Sequence, residues 1–393
     1  MKKIFLLVVA IYFVTTFLIV GVKLNDNREE KINKTSSPNQ EVRGIFFSYI
    51  EFLNYFDETD ALGKKKVIDQ VIANLRANNF NTLYLHVRSF SDAIYESLIF
   101  PSSYVVTGKE GVNLEFDILE YFIKKAHEKN ISVQAWINPY RIRNDTDTSS
   151  ISIKNPAYKW FGTNNVKVIE ETGIYYNPAS NEVIDLIVKG VEEILENYDV
   201  DGIMFDDYFY MDDTIDDENY QKYLETGVNI SKKEYRYMVV NRMVSRVSTV
   251  VKKYNKQFGI SPSGNIENNL NEIYADIYTW LDEGYLDYII PQIYFGFLNE
   301  AKPFSETADF WNQIVDGKNI SLIIGLPLYK TGKIDTYALN GQYEFILYSD
   351  IIKRQIEYSR NLSNYSGFAI FRYGDYFDKE SKEVENIKNL LQK

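Results

Sequence analysis

Cysteine is absent from the 393 residues of this chain. Without thiols the protein cannot form disulfide bonds, a zinc–thiolate site, a lipoprotein anchor or a cysteine nucleophile. Histidine is nearly absent, because His86 and His127 are the only two. They lie too far apart in sequence to form a recognisable metal motif, and Ser-His-Asp catalysis would have to use His86. We therefore expect chemistry that needs no metal and no cofactor.

Long runs of basic residues are also missing. The net charge is −12, and the longest run of Lys or Arg, 64–66, is too short to neutralise a stretch of phosphates. Nucleic acid is therefore not an expected partner. Apolar residues make up 45% of the chain, enough for a sizeable core in one large domain or two smaller ones. The 32 tyrosines and 24 phenylalanines could stack on sugar rings, although a composition bias shared with the many Asn, Lys and Ile is the simpler explanation.

The N-terminus carries a long apolar run. Lys2 and Lys3 precede residues 4–22, which at about 1.5 Å per residue nearly cross a ~30 Å hydrocarbon core. No convincing small-x-small cleavage site follows, so residues 1–23 are predicted to be an uncleaved signal anchor, with a cleaved signal peptide as the alternative. Either would export the rest of the chain. Residues 24–40 are polar and are predicted to be a tether, and the folded domain is predicted to span 41–393.

Eight short, β-rich apolar segments follow the tether. Between several of them apolar residues recur at helical spacing, as in 67–75 and 183–195, and Ser231 with Glu234 forms a capping box that opens a helix to about Tyr254. Strands that alternate with helices form a parallel sheet, and eight of them close into a barrel. The predicted fold is α/β, a single (β/α)8 TIM barrel preceded by an N-terminal membrane anchor or signal segment. The predicted strands are 43–47, 82–87, 132–137, 201–206, 257–262, 286–291, 321–326 and 367–371.

Loop lengths orient this barrel. The turns that lead into strands are brief, whereas the segments that leave the second, third and fourth strands are long, at about 88–115, 138–180 and 207–230. Long loops at the C-terminal strand ends are typical of an active face on that side. The segments 325–328 and 367–370 lack the glycine-rich loops expected after strands seven and eight, which weakens a hypothesis of phosphate-dependent chemistry.

Two adjacent carboxylates end the fourth strand. Side chains alternate along a strand, so Met204 and Asp206 share one face, and Asp207 either starts on the other face or lies on the following loop. We predict that Asp206 carries the chemistry and that Asp207 supports it. The strand resembles that of glycoside hydrolase family 18, but Tyr208 stands where that family has its catalytic Glu, which disfavours a chitinase-type mechanism.

Polar and aromatic side chains follow several other strands, as suits a polyhydroxylated ligand. Glycosidic cleavage usually needs two carboxyl groups, and the partner of Asp206 is open: Asp92 and Glu51 are the leading candidates, followed by Asp207 and Glu267. The predicted catalytic residues are Asp206, Asp207 and Asp92. The predicted substrate-binding residues are Glu51, Arg88, Asn138, Tyr140, Arg141, Tyr208, Gln292 and Tyr294. Arg88 or Arg141 could instead simply pair with the strand-end acids.

Taken in order, these motifs resemble glycosyl-hydrolase-like family 10, a group of bacterial, largely cell-envelope glycosidase-like proteins. The matching segments are 43–45, 48–52, 87–88, 91–95, 135–141, 176–178, 198–202, 205–209 and 287–294. The resemblance covers residues 41–375 and implies hydrolysis of a cell-envelope glycan, with peptide-free peptidoglycan strands as one substrate. It also implies that Asp206 and Asp207 lie in the site. The segment 261–266 departs from the family by lacking an aromatic near 265, which puts one sugar subsite in doubt.

Two functional hypotheses follow. The first is an exported glycoside hydrolase that acts on peptidoglycan or another surface polysaccharide. The second is a catalytically inactive carbohydrate-binding surface protein that uses the same aromatics. Two carboxylates that face one cleft would favour the enzyme, whereas a single acid bound to an Arg would favour the binding protein.

Overall fold

The computed structural model describes residues 40–56 and 59–392, and its centre is a closed barrel of eight parallel strands. All eight predicted strands are confirmed. They are β1 (Val42–Phe47), β2 (Thr82–Arg88), β3 (Ser132–Ile137), β7 (Gly202–Phe205), β8 (Gln257–Ile260), β9 (Tyr288–Ile289), β10 (Ser321–Leu326) and β11 (Tyr365–Ile370). The order around the barrel follows the chain, and β11 pairs with β1 to close it.

Helices surround the barrel. The helix predicted from the capping box is confirmed, because Ser231 accepts from the Glu234 amide and Glu234 accepts from the Ser231 amide at the start of the helix Lys232–Lys253. The helices are α1 (Tyr49–Phe56), α2 (Ala61–Ala77), α3 (Tyr104–Thr107), α4 (Ile118–His127), α5 (Asn181–Asn197), α6 (Asp217–Leu224), α7 (Lys232–Lys253), α8 (Ile266–Asn271), α9 (Ile277–Asp282), α10 (Phe304–Ile314), α11 (Glu344–Leu347), α12 (Ile351–Ser359), α13 (Tyr373–Phe377) and α14 (Lys382–Leu391). Short 3₁₀ helices occupy Thr148–Ser150, Pro156–Trp160, Leu328–Lys330 and Leu339–Gly341.

Strand alternation divides the apolar core in two. Inward-facing side chains form a small cluster inside the barrel that includes Phe46, Tyr84, Trp136, Met204 and Tyr288. Their outward neighbours join the larger layer between strands and helices. Met204 is inward and Phe205 is outward, which is the alternation expected at the end of β7.

The long loops lie at the C-terminal ends of the strands, as predicted. The loop after β3 contains a three-stranded antiparallel sheet of β4 (Arg141–Arg143), β5 (Val166–Ile169) and β6 (Gly173–Tyr176), in the order β4-β6-β5. Isolated bridges join Gln292, just after β9, to Ser263 and Gly325 on the two sides. These pairings extend the sheet toward the barrel mouth and fix where the loop residues lie.

A buried ion pair anchors the loop after β7. Arg236 on α7 donates from Nε and Nη2 to the two carboxylate oxygens of Asp216, at 3.0 and 2.9 Å. Both side chains are almost completely buried, and the Tyr210 hydroxyl adds a contact of 3.3 Å to the same carboxylate. The loop that carries the strand-end acids is thereby tied to the outer helical layer.

The predicted signal anchor (1–23) and nearly all of the predicted tether (24–40) lie outside the described residues. Among residues 40–56 and 59–392, none of the helices combines the length and apolar character needed to cross a bilayer.

We predict that Asp216→Asn lowers the free energy of unfolding by about 3–5 kcal/mol, because it removes the buried counter-charge of Arg236 and leaves that guanidinium paired with the exposed Asp213, 3.5 Å away. Urea denaturation followed by circular dichroism measures this. Glu218→Gln is the matched control, since Glu218 forms an exposed pair with Lys222 on α6 and should cost less than about 0.5 kcal/mol. Equal effects of the two substitutions would contradict the anchoring role of Asp216.

Candidate active site

A cavity of about 330 Å³ opens at the C-terminal mouth of the barrel. This size is within the range of small-ligand pockets. Its walls come from the ends of most barrel strands and from the loops that follow them. The lining residues are Phe46, Ser48, Tyr49, Ile50, His86, Trp136, Arg141, Asp206, Asp207, Tyr208, Ser261, Gln292, Tyr294, Tyr329 and Phe371.

Asp206 lies at the end of β7 with its side chain toward the barrel axis. The carboxylate is 4% exposed, and its Oδ2 accepts a hydrogen bond of 3.1 Å from the indole nitrogen of Trp136 on β3. Its Oδ1 is buried and has no hydrogen-bond partner among the described residues. A buried carboxylate oxygen without a donor is costly when it carries charge, which disfavours the ionised form of Asp206.

Asp207 reaches the same cavity because the strand ends before it. The β7 ladder stops at Phe205, and Asp207 lies in a bend, half-buried, so strand alternation no longer directs its side chain outward. Of the two positions considered for Asp207, outward on the strand or on the following loop, the structure shows the loop. Within the described chain, Asp206 and Asp207 are the acidic residues that line the cavity.

Burial and mutual repulsion both change the acidity of this pair. Burial, followed by the negative charge of Asp207, raises the pKa of Asp206 to about 8, while Arg141 and the Trp136 hydrogen bond oppose the shift. Burial also raises the pKa of Asp207, and Arg141 and Gln292 oppose that shift. The two groups titrate as a coupled unit that holds a proton near neutral pH.

Arg141 supplies positive charge to the cavity without neutralising either acid. Among the described residues no carboxylate oxygen lies within 4.0 Å of its nitrogens, and its Nε donates to the Ser89 carbonyl at 3.1 Å. The guanidinium instead packs against aromatic rings, 4.6 Å from the Tyr208 centroid and 4.8 Å from that of Phe90. The pairing of Arg141 with a strand-end acid, considered from the sequence, is therefore wrong.

Aromatic side chains form one wall of the cavity. The rings of His86 and Trp136 stack at 3.6 Å with an interplanar angle of 8°, and Phe46 meets Trp136 edge-on at 5.4 Å. Burial, assisted by the charge of Arg141, lowers the pKa of His86 well below its ordinary value, so the imidazole is neutral. Tyr294 packs against Tyr329 and Phe371 on the other side, at 5.8 and 6.0 Å. Such walls exclude water and fit apolar sugar faces.

Asp92, a predicted catalytic residue, lies outside the cavity. It is buried in the loop after β2, where its Oδ2 accepts from the Tyr104 amide at 3.3 Å. Burial and the neighbouring Glu110 raise its pKa to about 7, with Arg143 opposing. Asp92 is therefore surrounded by its own polar neighbours and does not line the cavity with Asp206.

Glu51 also lies outside the cavity. Its carboxylate accepts from the Ser48 amide at 2.8 Å and from the Gly374 amide at 3.1 Å, and it forms an ion pair with Arg372. These contacts join the loops after β1 and β11, at the seam where the barrel closes. A carboxylate with so many protein partners has little capacity left for substrate.

Arg88, Asn138 and Tyr140 are buried behind the cavity wall. A register shift in β2 between His86 and Arg88 turns the Arg88 side chain outward, where its guanidinium lies 4.1 Å from the Phe100 ring centroid. The sequence shows no sign of this bulge, which explains why strand alternation failed as a guide there. The predicted site residues that do line the cavity are Asp206, Asp207, Arg141, Tyr208, Gln292 and Tyr294.

Several cavity residues were not predicted. Phe46 and Trp136 share the inward face of their strands with other cluster residues, so alternation from the strand ends could have identified them. Phe371 follows β11 directly and carries the same positional signal, whereas Tyr329 lies three residues after β10, in the 3₁₀ helix Leu328–Lys330. In residues 40–56 and 59–392, no three His, Cys, Asp or Glu side chains converge as ligands for a metal ion.

Comparisons with known proteins agree with this architecture. Residues 41–342 match the sequence family described as Glycosyl hydrolase-like 10. The chain is 29% identical to the glycosyl hydrolase DigH of Escherichia coli K12, over 88% of this chain and 85% of DigH. It is 30% identical to the glycosyl hydrolase YngK of Bacillus subtilis 168, over 84% of this chain and 66% of YngK.

Solved structures share the fold at much lower identity. The glycoside hydrolase domain of PgaB (BpsB) from Bordetella bronchiseptica superposes with a TM-score of 0.58 at 13% identity, covering 90% of this chain and 99% of that domain. An α-L-fucosidase from Paenibacillus thiaminolyticus gives a TM-score of 0.54, also at 13% identity, over 90% of this chain and 49% of the fucosidase. These likenesses support the (β/α)8 barrel.

We predict that Asp92 makes stability fall with rising pH. Its raised pKa keeps the native state protonated between the ordinary value of about 3.9 and about 7, so unfolding releases a proton there and the free energy of unfolding decreases as pH increases. Asp92→Asn removes this contribution and should stabilise the protein more at pH 8 than at pH 5. Chemical denaturation at several pH values measures it, and parallel profiles for the two proteins would contradict the expectation.

Proposed function

The chain belongs to the Glycosyl hydrolase-like 10 family, and from this premise we propose that it is an exported hydrolase of a cell-envelope glycan. Peptide-free peptidoglycan strands are the proposed substrate, with another surface polysaccharide as the alternative. Membership of this family supports glycoside hydrolase activity and a glycan as the class of substrate. The identity of the glycan and the export of the enzyme are proposed in addition.

One observation supports hydrolysis above all: two carboxylates line a single cavity without an ion-pair partner among the described residues. A protein that only bound sugars would have no need for two acids whose pKa values are raised by burial and repulsion. Groups with such perturbed acidity cluster at catalytic sites. The binding-only hypothesis is therefore the weaker one.

The proposed chemistry gives Asp206 the role of general acid. With a pKa of about 8 it is protonated near neutral pH and can transfer that proton to the glycosidic oxygen as the C1–O bond breaks. Asp207 is the proposed partner, whose negative charge stabilises the oxocarbenium-like transition state and assists the attack of water. The nearby positive charge of Arg141 offsets part of the negative charge of the pair, and the aromatic walls hold the sugar.

The proposal of export depends on the N-terminal sequence. Lys2 and Lys3 before the apolar residues 4–22 are typical of a signal anchor, which would hold the barrel outside the cytoplasm at the membrane surface. An extracytoplasmic location would give the enzyme access to cell-envelope glycans. A cleaved signal peptide would give the same access with a secreted enzyme.

We expect Asp206→Asn to lower the release of reducing ends from peptide-free glycan strands by a hundredfold or more, on the order expected for loss of a general acid. Asp92→Asn is the matched control, because Asp92 is buried outside the cavity and its loss should leave turnover within about twofold of wild type. Reducing-end assays with mass analysis of the products measure both.

Two outcomes would count against this assignment. Wild-type rates in Asp206→Asn would remove Asp206 from the chemistry, and a loss of activity in a folded Asp92→Asn would point to Asp92 instead. If the wild-type protein released no product from a broad panel of glycans, the proposal of hydrolysis would itself fail.

The pH dependence of kcat/KM should reflect the coupled pair. Because the acid acts in its protonated form, activity should fall as pH rises through about 8. Asp207→Asn removes the neighbouring negative charge and so lowers the pKa of Asp206, and the alkaline limb of the residual activity should move to lower pH. An alkaline limb at the same pH in Asp207→Asn as in the wild type would show that Asp207 does not influence the pKa of Asp206.

A further inference from the structure

A second cavity, of about 430 Å³, adjoins the catalytic one and shares Gln292 and Tyr294 with it. Its other walls come from the loops after β8, β9 and β10, on the same face of the barrel. The adjoining position suits a polymeric ligand, because a chain bound at the acids would continue into a neighbouring site. Apart from the shared Gln292 and Tyr294, its lining side chains take no part in the chemistry proposed above.

The second cavity is built from well-anchored loops. The Lys330 ammonium donates to the Tyr294 carbonyl at 2.7 Å and to the Asp335 carboxylate at 2.8 Å, which joins the loops after β9 and β10. The Asn299 side chain accepts from the Ala301 and Lys302 amides at 3.0 and 2.9 Å. A preformed site of this kind loses little conformational entropy when a ligand binds.

The charge of the second cavity differs from that of the catalytic one. Lys330 is balanced by Asp335, a buried carboxylate. Lys302 is half-buried, lines the cavity and has no carboxylate within 4.0 Å among the residues that the structure describes. This cavity therefore carries an uncompensated positive charge. In the catalytic cavity the positive charge of Arg141 faces the Asp206–Asp207 pair, so that cavity has no such excess of positive charge to attract an anionic group.

Polar and aromatic side chains complete the second cavity. Tyr337 is 85% exposed at its rim, where a large aromatic face is available to pack on a sugar ring. Asn265 and Asn268 line it from the loop after β8, and their amide groups suit sugar hydroxyls. The segment 261–266 lacks the aromatic residue expected near position 265. Tyr337 supplies an aromatic side chain on the same face of the barrel.

We propose that the second cavity is a subsite for a carboxylate-bearing sugar, with Lys302 binding the carboxylate and Tyr337 packing on the ring, while the sugar beside Asp206 and Asp207 is neutral. The inference rests on the proposed function in taking the ligand to be a glycan. Peptide-free peptidoglycan strands alternate neutral and carboxylate-bearing sugars. The two cavities would then set the register in which such a strand binds, and so which of its two linkages reaches the acids.

The test is binding to the full chain carrying Asp206→Asn, so that hydrolysis does not consume the ligand. Calorimetry compares peptide-free peptidoglycan oligosaccharides with neutral N-acetylglucosamine oligosaccharides of equal length. We expect the alternating oligosaccharide to bind about fivefold more tightly, and Lys302→Gln to abolish that preference and its salt dependence. Tyr337→Ala should weaken both ligands about fivefold to tenfold.

Matched controls are Lys189→Gln, on the exposed face of α5, and Tyr278→Ala, on the exposed face of α9, neither of which should change binding. Equal affinity for the two ligands, a preference that survives Lys302→Gln, or no binding at all would overturn the inference. Hydrolysis is not required for any of these measurements. A wild-type protein that cleaves nothing would refute the proposed function, while the binding data would still decide the subsite.

Discussion

The burial of two adjacent carboxylates in an aromatic cavity is the constraint on which the site depends. Removal from water makes the charged forms costly, and the proximity of Asp206 and Asp207 makes double ionisation more costly still. The cavity tolerates this because Trp136 donates to Asp206 and because Arg141 supplies nearby positive charge. Arg141 in turn is held by aromatic rings rather than by a carboxylate, so its charge stays available to the cavity.

Other buried carboxylates in the barrel have a different role. Glu51 accepts from two backbone amides and pairs with Arg372, and Glu344 accepts from the amides of Phe297 and Leu298. Each of them fixes a loop at the C-terminal face, as the Asp216–Arg236 pair does after β7. Glu51, Glu344 and Asp216 have protein donors on both carboxylate oxygens. Asp206 instead keeps a buried oxygen without a partner among the described residues, as Asp92 does, and it differs from Asp92 in lining the cavity.

Much of the fold could be predicted because it depends on local periodicity. The eight strands, the helix that begins at the Ser231 capping box and the inward direction of Asp206 all follow from spacing within a few residues. Predictions failed where a non-local irregularity intervened. The bulge in β2 turned Arg88 away from the cavity, and the packing of the loop after β2 enclosed Asp92 in its own polar cluster. Neither effect can be recognised from the residue types in these segments.

By itself, the sequence determined the barrel, the face that carries the site and the pair of acids at the end of β7, because hydrophobic alternation and loop length are encoded along the chain. Only the tertiary structure decided which polar residues share the cavity with that pair. It brought Trp136, Arg141 and Tyr294 to the acids and set a second, positively charged cavity beside them. The distances between the loops depend on how the eight strands close into a barrel and on the buried ion pairs that hold the loops in place. Neither of these is a property of a single segment of the sequence.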